Sequence, residues 1–335
     1  MSQRLEWLDI MKGFTMILVV LGHIMNNMDL FNHPINVWLH RFHMPFFFML
    51  SGFMALKTLE KNFLSNFRNK TRTLLLPFIF CGTAYAWTFN KFTNYIFSED
   101  HTGYWFLISL WTCWMVFLPI IYILKRFKIG CILCVRLFVL LIPFFIGNLI
   151  MKNIPDIFIQ TLTLSKTCSD YRFFVMGYIL GEIYFNNKKN VIGFTGGVSK
   201  LYLPIHVGIM ELIFFIFSIA LITKHYWISC FPITIQQILL SYSLFVLLYS
   251  MSPIINENIR RILSHIGKNS LGIYIFHFFF VYQFPLTNIG EISSGFQFLI
   301  ALILSLLVIG ATLLITPIFN NNKILSLLFL GKKII

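Results

Sequence analysis

The sequence predicts an all-α polytopic membrane protein with about ten transmembrane helices and both termini in the cytoplasm. Three observations predict it. The 335 residues are 58% hydrophobic and only 11% charged, where soluble domains carry about 25% charged residues, and the mean hydropathy is +0.79. Apolar stretches of membrane-crossing length recur along the whole chain. Basic residues are also unevenly placed. With the N-terminus inside, twenty of the 26 Lys and Arg residues face the cytoplasm, and Arg41, Lys91, Lys152, Lys166, Arg172 and Lys224 face outward. The net charge of +14 is therefore a topology signal and an attraction to anionic membrane lipid, and it does not point to nucleic acid.

The first span, 10–28, is expected to be retained, because charged residues precede it and no small-residue cleavage site follows. It carries a polar line. Lys12 and His23 lie within about 20° of one helix face and roughly 16 Å apart along the axis, and Asp9 shares nearly the same stripe. Ionisable groups at this depth usually face a protein interior or a water-filled cavity. The second span, 44–58, opens with Arg41-Phe42-His43-Met44-Pro45 and contains Ser51 and Gly52. His40 lies close by. Pro45 suits a first helical turn, and Gly52 allows close backbone approach. The third span, 73–92, follows Arg68-Asn69-Lys70-Thr71-Arg72, where Arg68 and Arg72 stand at i and i+4. Two neighbouring guanidiniums at a cytoplasmic mouth suit bidentate phosphate binding, or mark an ordinary positive-inside loop.

The fourth span, 104–124, begins with Tyr104-Trp105-Phe106-Leu107, placed where aromatic belts form. The fifth, 131–151, starts on a lone pair, Cys131 and Cys134. No second cysteine or histidine pair completes a site, so no metal is expected. The sixth, 171–186, and seventh, 202–223, contain Glu182 and Glu211, each a proton-path candidate or the partner of a buried donor. The eighth is 228–250. The ninth, 269–286, carries Tyr274 and His277 at i and i+3, and the tenth is 296–319. The second and sixth spans are short. Gly193, Gly196 and Gly197 mark a mobile inside loop. Residues 1–335 thus read as a single membrane-embedded domain with no appended soluble domain and no internal repeat.

His23 is either bonded to a neighbouring helix or functional, and the stripe it shares with Asp9 and Lys12 favours function. A neutral imidazole in a partly dry cavity is a good general base, since its ordinary pKa lies near neutrality.

Taken together, these stretches resemble the acyltransferase-3 family of bacterial membrane acyltransferases, and especially its stand-alone sugar O-acetyltransferases. The resemblance rests on Leu8-Asp9-x-x-Lys12-Gly13 through Gly22-His23, then Phe42-His43-Met44-Pro45-Phe46-Phe47 through Ser51-Gly52-Phe53. Pro77-Phe78, Trp105-Phe106-Leu107 and Ser270-x-x-Ile273-Tyr274-x-x-His277 follow in the expected order. Many members place an arginine ten residues before the first-helix histidine. Here Lys12 and His23 occupy those positions, and lysine keeps the charge but loses the planar fork. An arginine-x-x-x-arginine pair is associated with the acyl donor, and Arg68 and Arg72 fit it.

The resemblance implies an acyl-CoA donor, usually acetyl-CoA, and a lipid-linked or polymeric carbohydrate acceptor in the cell envelope, such as an O-antigen, capsule or exopolysaccharide unit. It implies a multi-pass protein of the bacterial cytoplasmic (inner) membrane, working beside polysaccharide-assembly partners. Some members carry a fused periplasmic esterase-like domain, which this chain is too short to include. His23, Lys12 and Asp9 are the catalytic candidates. Arg68, Arg72 and Lys70 are candidates for the donor phosphates. His43, Ser51, Trp105, Tyr274 and His277 are candidates for the substrate or oxyanion. Direct transfer and an acyl-enzyme on His23 or Ser51 both remain open. The competing reading is a transporter or flippase for an envelope sugar or glycolipid, using Glu182, Glu211 and the histidines as its path; the absent repeat counts against it.

Overall fold

The computed structural model describes residues 4–127, 133–190, 199–281 and 293–333. Among these the regular structure is all helix, with no strand. It forms two compact units. One comprises Met1–Phe47 with Asn187–Thr316, the other Phe48–Asn186 with Pro317–Ile335.

Four helices are long and apolar enough to cross a membrane: Glu6–Asn27 (α1), Trp105–Arg126, Ile233–Met251 and Ser294–Asn321. Shorter apolar helices run over Val135–Ile150, His206–Ile222 and Ser270–Val281. With this many apolar helices the chain is a multi-pass membrane protein. The other three expected segments take different forms. Helix α2 begins at Pro34 and runs to Phe53, so Pro34 takes the first-turn position and Pro45 sits inside the helix. Short α3 (Ala55–Thr58) follows. The segment expected over 73–92 is assembled from α4 (Phe63–Lys70), a π-helical turn over Thr71–Leu75 and α5 (Leu76–Thr88). The sixth segment is long: after α6 (Phe92–Phe97), α7 (Trp105–Arg126), α8 (Leu133–Ile150) and α9 (Asp156–Thr161), α10 covers Leu164–Asn190. Then come α11 (Ser199–Ile222), α12 (Ile233–Met251), α13 (Glu257–Lys268), α14 (Ser270–Val281), α15 (Ser294–Asn321) and α16 (Lys323–Leu330). Cys131, the side chain of Cys134 and the Gly193–Gly197 loop lie outside the described residues.

In the first unit α1 is the central element. It lies parallel to the nearly continuous pair α13–α14. Glu6 meets Arg260, Gly13 faces Gly267, His23 faces His277, and the Asn27 amide donates to the Val281 carbonyl at 3.1 Å. Each of these pairs is separated by 254 residues along the chain, so the register is constant over the whole length. Glycine permits the approach. A Cβ on Gly13 would strike the Leu263 carbonyl, and one on Gly267 would strike the Asp9 carbonyl. Trp7 adds edge contacts to Phe245 and Tyr249 of α12. Glu211 accepts a hydrogen bond from Ser250 at 2.7 Å, which satisfies it within the packing.

The second unit repeats the device. Gly52 of α2 and Gly177 and Gly181 of α10 stand against the backbone of Phe174, Met49 and Phe53. Around them Trp114, Phe117, Phe174 and Tyr178 form a buried aromatic core with edge-to-face centroids 5.1–5.2 Å apart. Glu182 is ion-paired with Arg136.

Candidate active site

The polar line of α1 is present, but its members have separate environments. Asp9 is buried, and Arg4 clamps its carboxylate through two bonds of 2.5 and 3.1 Å. That partner raises the Arg4 pKa. Lys12, one turn on, is half-buried. His23 lies near the far end of α1, half-buried and without a hydrogen-bond partner among the described residues.

Around His23 the fold gathers three further imidazoles. His277 of α14 lies 5.2 Å away, ring centre to ring centre, and Phe278 edges onto His23 at 4.8 Å. His40 and His43 of α2 are 4.9 Å apart, and the His40 ring rests against Gly22, where a Cβ would come within 3.4 Å. His277, His43 and His40 are all within electrostatic reach of His23. Tyr274, one turn before His277, is buried with its ring 5.7 Å from it.

Backbone carbonyls set the tautomers, because a carbonyl can only accept. His43 Nδ1 donates to Leu39 at 2.6 Å, His277 Nδ1 to Ile273 at 3.1 Å and His40 Nδ1 to Asn36 at 2.8 Å. In each neutral ring Nε2 therefore keeps the lone pair. The Asn26 amide donates to that of His40 at 3.3 Å, and Asn36 braces Asn26 at 2.8 Å. Nε2 of His277 is fully buried and has no partner among the described residues. The cluster thus presents basic nitrogens inside a mostly apolar unit, an arrangement suited to accepting a proton from a hydroxyl. Among the described residues no three His, Cys, Asp or Glu side chains are placed to hold a metal ion.

The other candidates belong to the second unit, and the π-helical turn organises them. Such turns often occur at functional positions. Arg68 is exposed, Lys70 stacks its ammonium 3.7 Å over the Trp114 ring, and Arg72 is half-buried. Arg72 donates to the Gly331 carbonyl at 3.1 Å and to Asn69 at 2.8 Å. Gly331 ends α16 with φ +61°, so Arg72 ties that helix end to the turn. The three cations do not form one free cluster, and Arg68 is the one most open to solvent. Trp105 opens α7, half-buried, with Lys166 held 4.7 Å over its ring. Ser51 is half-buried in α2, next to the close approach at Gly52.

Asn26 and Asn36 are residues that sequence reasoning misses, and it places His40 beside the second-span motif without giving it a role. Their signal was the four-residue spacing of Asn36 and His40, which is the spacing of a histidine bonding back to its own helix. His101 was also passed over. It is buried, has positive φ (44°), and its Nδ1 donates to the Tyr95 carbonyl at 2.5 Å while Nε2 has no partner among the described residues. Burial is the main cause of its lowered pKa. An imidazole kept neutral in the fold but free to protonate when unfolded costs stability as the pH falls below about 6.5. Thermal melting between about pH 8 and pH 5 should therefore show stability declining below about pH 6.5, with a shallower decline in His101→Gln. Equal slopes would remove His101 from the explanation.

Comparison with known proteins follows the same lines. The nodulation protein NolL of Sinorhizobium fredii (strain NBRC 101917 / NGR234) is 34% identical over 117 residues, covering 30% of this chain and 32% of NolL, so the match spans about a third of that relative. No solved structure matches. The family described as an acyltransferase domain, acyltransferase-3, matches residues 5–320, which covers most of both units and every candidate site residue. The chain belongs to the acyltransferase-3 family.

Proposed function

We propose that this protein is an O-acetyltransferase of the bacterial cytoplasmic membrane. It transfers an acetyl group from cytoplasmic acetyl-CoA to a hydroxyl of an envelope carbohydrate, with ten spans and both termini inside. The observation that carries the proposal is the half-buried, unpartnered His23 beside the orphan Nε2 of His277, in a chain of an acyltransferase family. The carbohydrate acceptor draws support from the resemblance to sugar O-acetyltransferases.

In the transfer His23 takes the proton of the sugar hydroxyl as its oxygen attacks the thioester carbonyl. The tetrahedral intermediate collapses, the carbon–sulfur bond breaks, and the proton passes to the departing CoA thiolate. Tyr274 is the nearby hydroxyl suited to steady the oxyanion. Lys12 contributes positive charge along the α1 line. Asp9, held by Arg4, keeps the start of that line in place. Arg68, Lys70 and Arg72 are assigned to the donor phosphates, and His43, Ser51, Trp105 and His277 to the substrates.

The test begins with the donor. Acetyl-CoA should raise the melting temperature of the purified protein, because a ligand that binds the native state stabilises it by mass action. Arg68→Ala should weaken that binding roughly tenfold, the value of one hydrogen bond to a charged group. Arg68 is the informative position, since removing Arg72 would also release the end of α16. Folded protein that shows no shift with saturating acetyl-CoA would overturn the donor assignment.

A further inference from the structure

The second unit contains a cavity of about 220 Å³, open along one side, among α7, α8 and α10. Its wall includes Thr112, Cys113, Phe144, Gly147, Cys168 and Tyr171. It is almost wholly apolar. The hydroxyls of Thr112 and Thr167 are already bonded, to the Ile108 carbonyl and to Ser109. Tyr171 differs. Its side chain is 3% exposed, and its hydroxyl is buried with no partner among the described residues. A buried hydroxyl without an acceptor is costly, so this cavity offers a hydrocarbon-sized space beside one unused donor.

Two observations indicate what fills it. Ile150 of the wall belongs to an outward face of α8 with Phe145, Ile146 and Leu149, all strongly exposed. In a membrane protein that face meets lipid, so an alkyl chain can enter sideways from the bilayer. Depth is the second. Tyr171 lies seven residues into α10 and Thr112 seven residues into α7, about 10 Å along each helix. With a hydrocarbon core of about 30 Å inside a total of about 40–45 Å, the hydrocarbon boundary is about 5–8 Å below the outer surface, so that level lies just beneath the boundary. Ester carbonyls of glycerophospholipids lie at this boundary and are strong acceptors. A polyprenyl phosphate has no carbonyl there.

We propose that the cavity is a lipid site. It holds one acyl chain of a bilayer glycerophospholipid, and the Tyr171 hydroxyl donates to the ester carbonyl of that chain.

The experiment uses the full-length protein in nanodiscs containing a phosphatidylethanolamine with a diazirine-bearing tail. After photolysis, crosslinked peptides are mapped in the wild type, in Val116→Trp, which fills the cavity from α7, and in Tyr171→Phe. Melting curves confirm that each variant is folded. The expected result is labelling concentrated on the stretches 112–116, 143–154 and 164–171, and lost in Val116→Trp while other lipid-facing helices are labelled as before. Tyr171→Phe should weaken retention about fivefold, the value of one net hydrogen bond. Labelling spread evenly over the lipid-facing helices, labelling unchanged in Val116→Trp, or displacement by polyprenyl phosphate but not by unlabelled glycerophospholipid would each overturn the proposal.

Discussion

Replacing His23 with alanine is expected to abolish acyl transfer while leaving the protein folded. His23 makes no hydrogen bond among the described residues and is only half-buried, so its removal breaks no polar network and leaves a modest void. Its contacts are ring contacts to His277 and Phe278. The loss should therefore appear in turnover, by roughly 10²–10⁴-fold for a general base, with little change in melting temperature. His277→Phe provides the second arm. It keeps an aromatic ring against Phe278 and removes the orphan Nε2, so it too should slow turnover without unfolding the protein. The readout is acetyl transfer in membranes or nanodiscs, with melting curves alongside. Wild-type turnover in folded His23→Ala would sink every scheme centred on that residue, including an acyl-enzyme.

The second large effect concerns the helix pair that sets the level of those histidines. A Cβ on Gly267 would sit on the Asp9 carbonyl carbon and oxygen, which are backbone atoms. No rotamer change relieves that clash, so α1 and α13 must separate. Gly267→Ala should destabilise by about 1–3 kcal/mol, the usual range for overpacking. Transfer should fall as well, because the same register brings His277 opposite His23. Gly310 of α15 is the control. A Cβ there meets nothing within 4 Å, so Gly310→Ala should be neutral or stabilising by about 0.5–1 kcal/mol. Thermal unfolding of the two variants decides the matter. Equal melting temperatures would mean that the glycine contact does not hold the pair together.

Much of this molecule was legible in the order of its residues. Hydropathy identifies a multi-pass helical membrane protein because lipid demands internally bonded, apolar segments. The polar line of Asp9, Lys12 and His23 was legible because helical periodicity alone puts those positions on one stripe. The first-helix and second-helix motifs carried the family. Boundaries were less legible where apolar character and helix length part company. Helix α2 starts ten residues earlier than its apolar core suggests, because Pro34 and the bonds among Asn26, Asn36 and His40 hold a polar first half in helical form. Helix α10 likewise extends past its apolar centre at both ends, through Lys166 before it and Lys188 and Lys189 after it.

The roles of individual side chains needed the tertiary structure. Sequence spacing placed Arg68 and Arg72 together as equals, yet only Arg72 is used to hold the end of α16, since its partner Gly331 is more than 250 residues away. Glu182 and Glu211 were open as proton-path residues, and each is matched by a donor on another helix. By itself, then, the sequence determined the fold class, the family and the polar face of the first helix, because periodicity and composition are local properties. Only the tertiary structure decided that His277 stands opposite His23, that three histidines turn their basic nitrogens away from their own backbone, and that Tyr171 is left with an unused donor. Those are pairings between distant segments, and packing geometry sets them where local pattern does not.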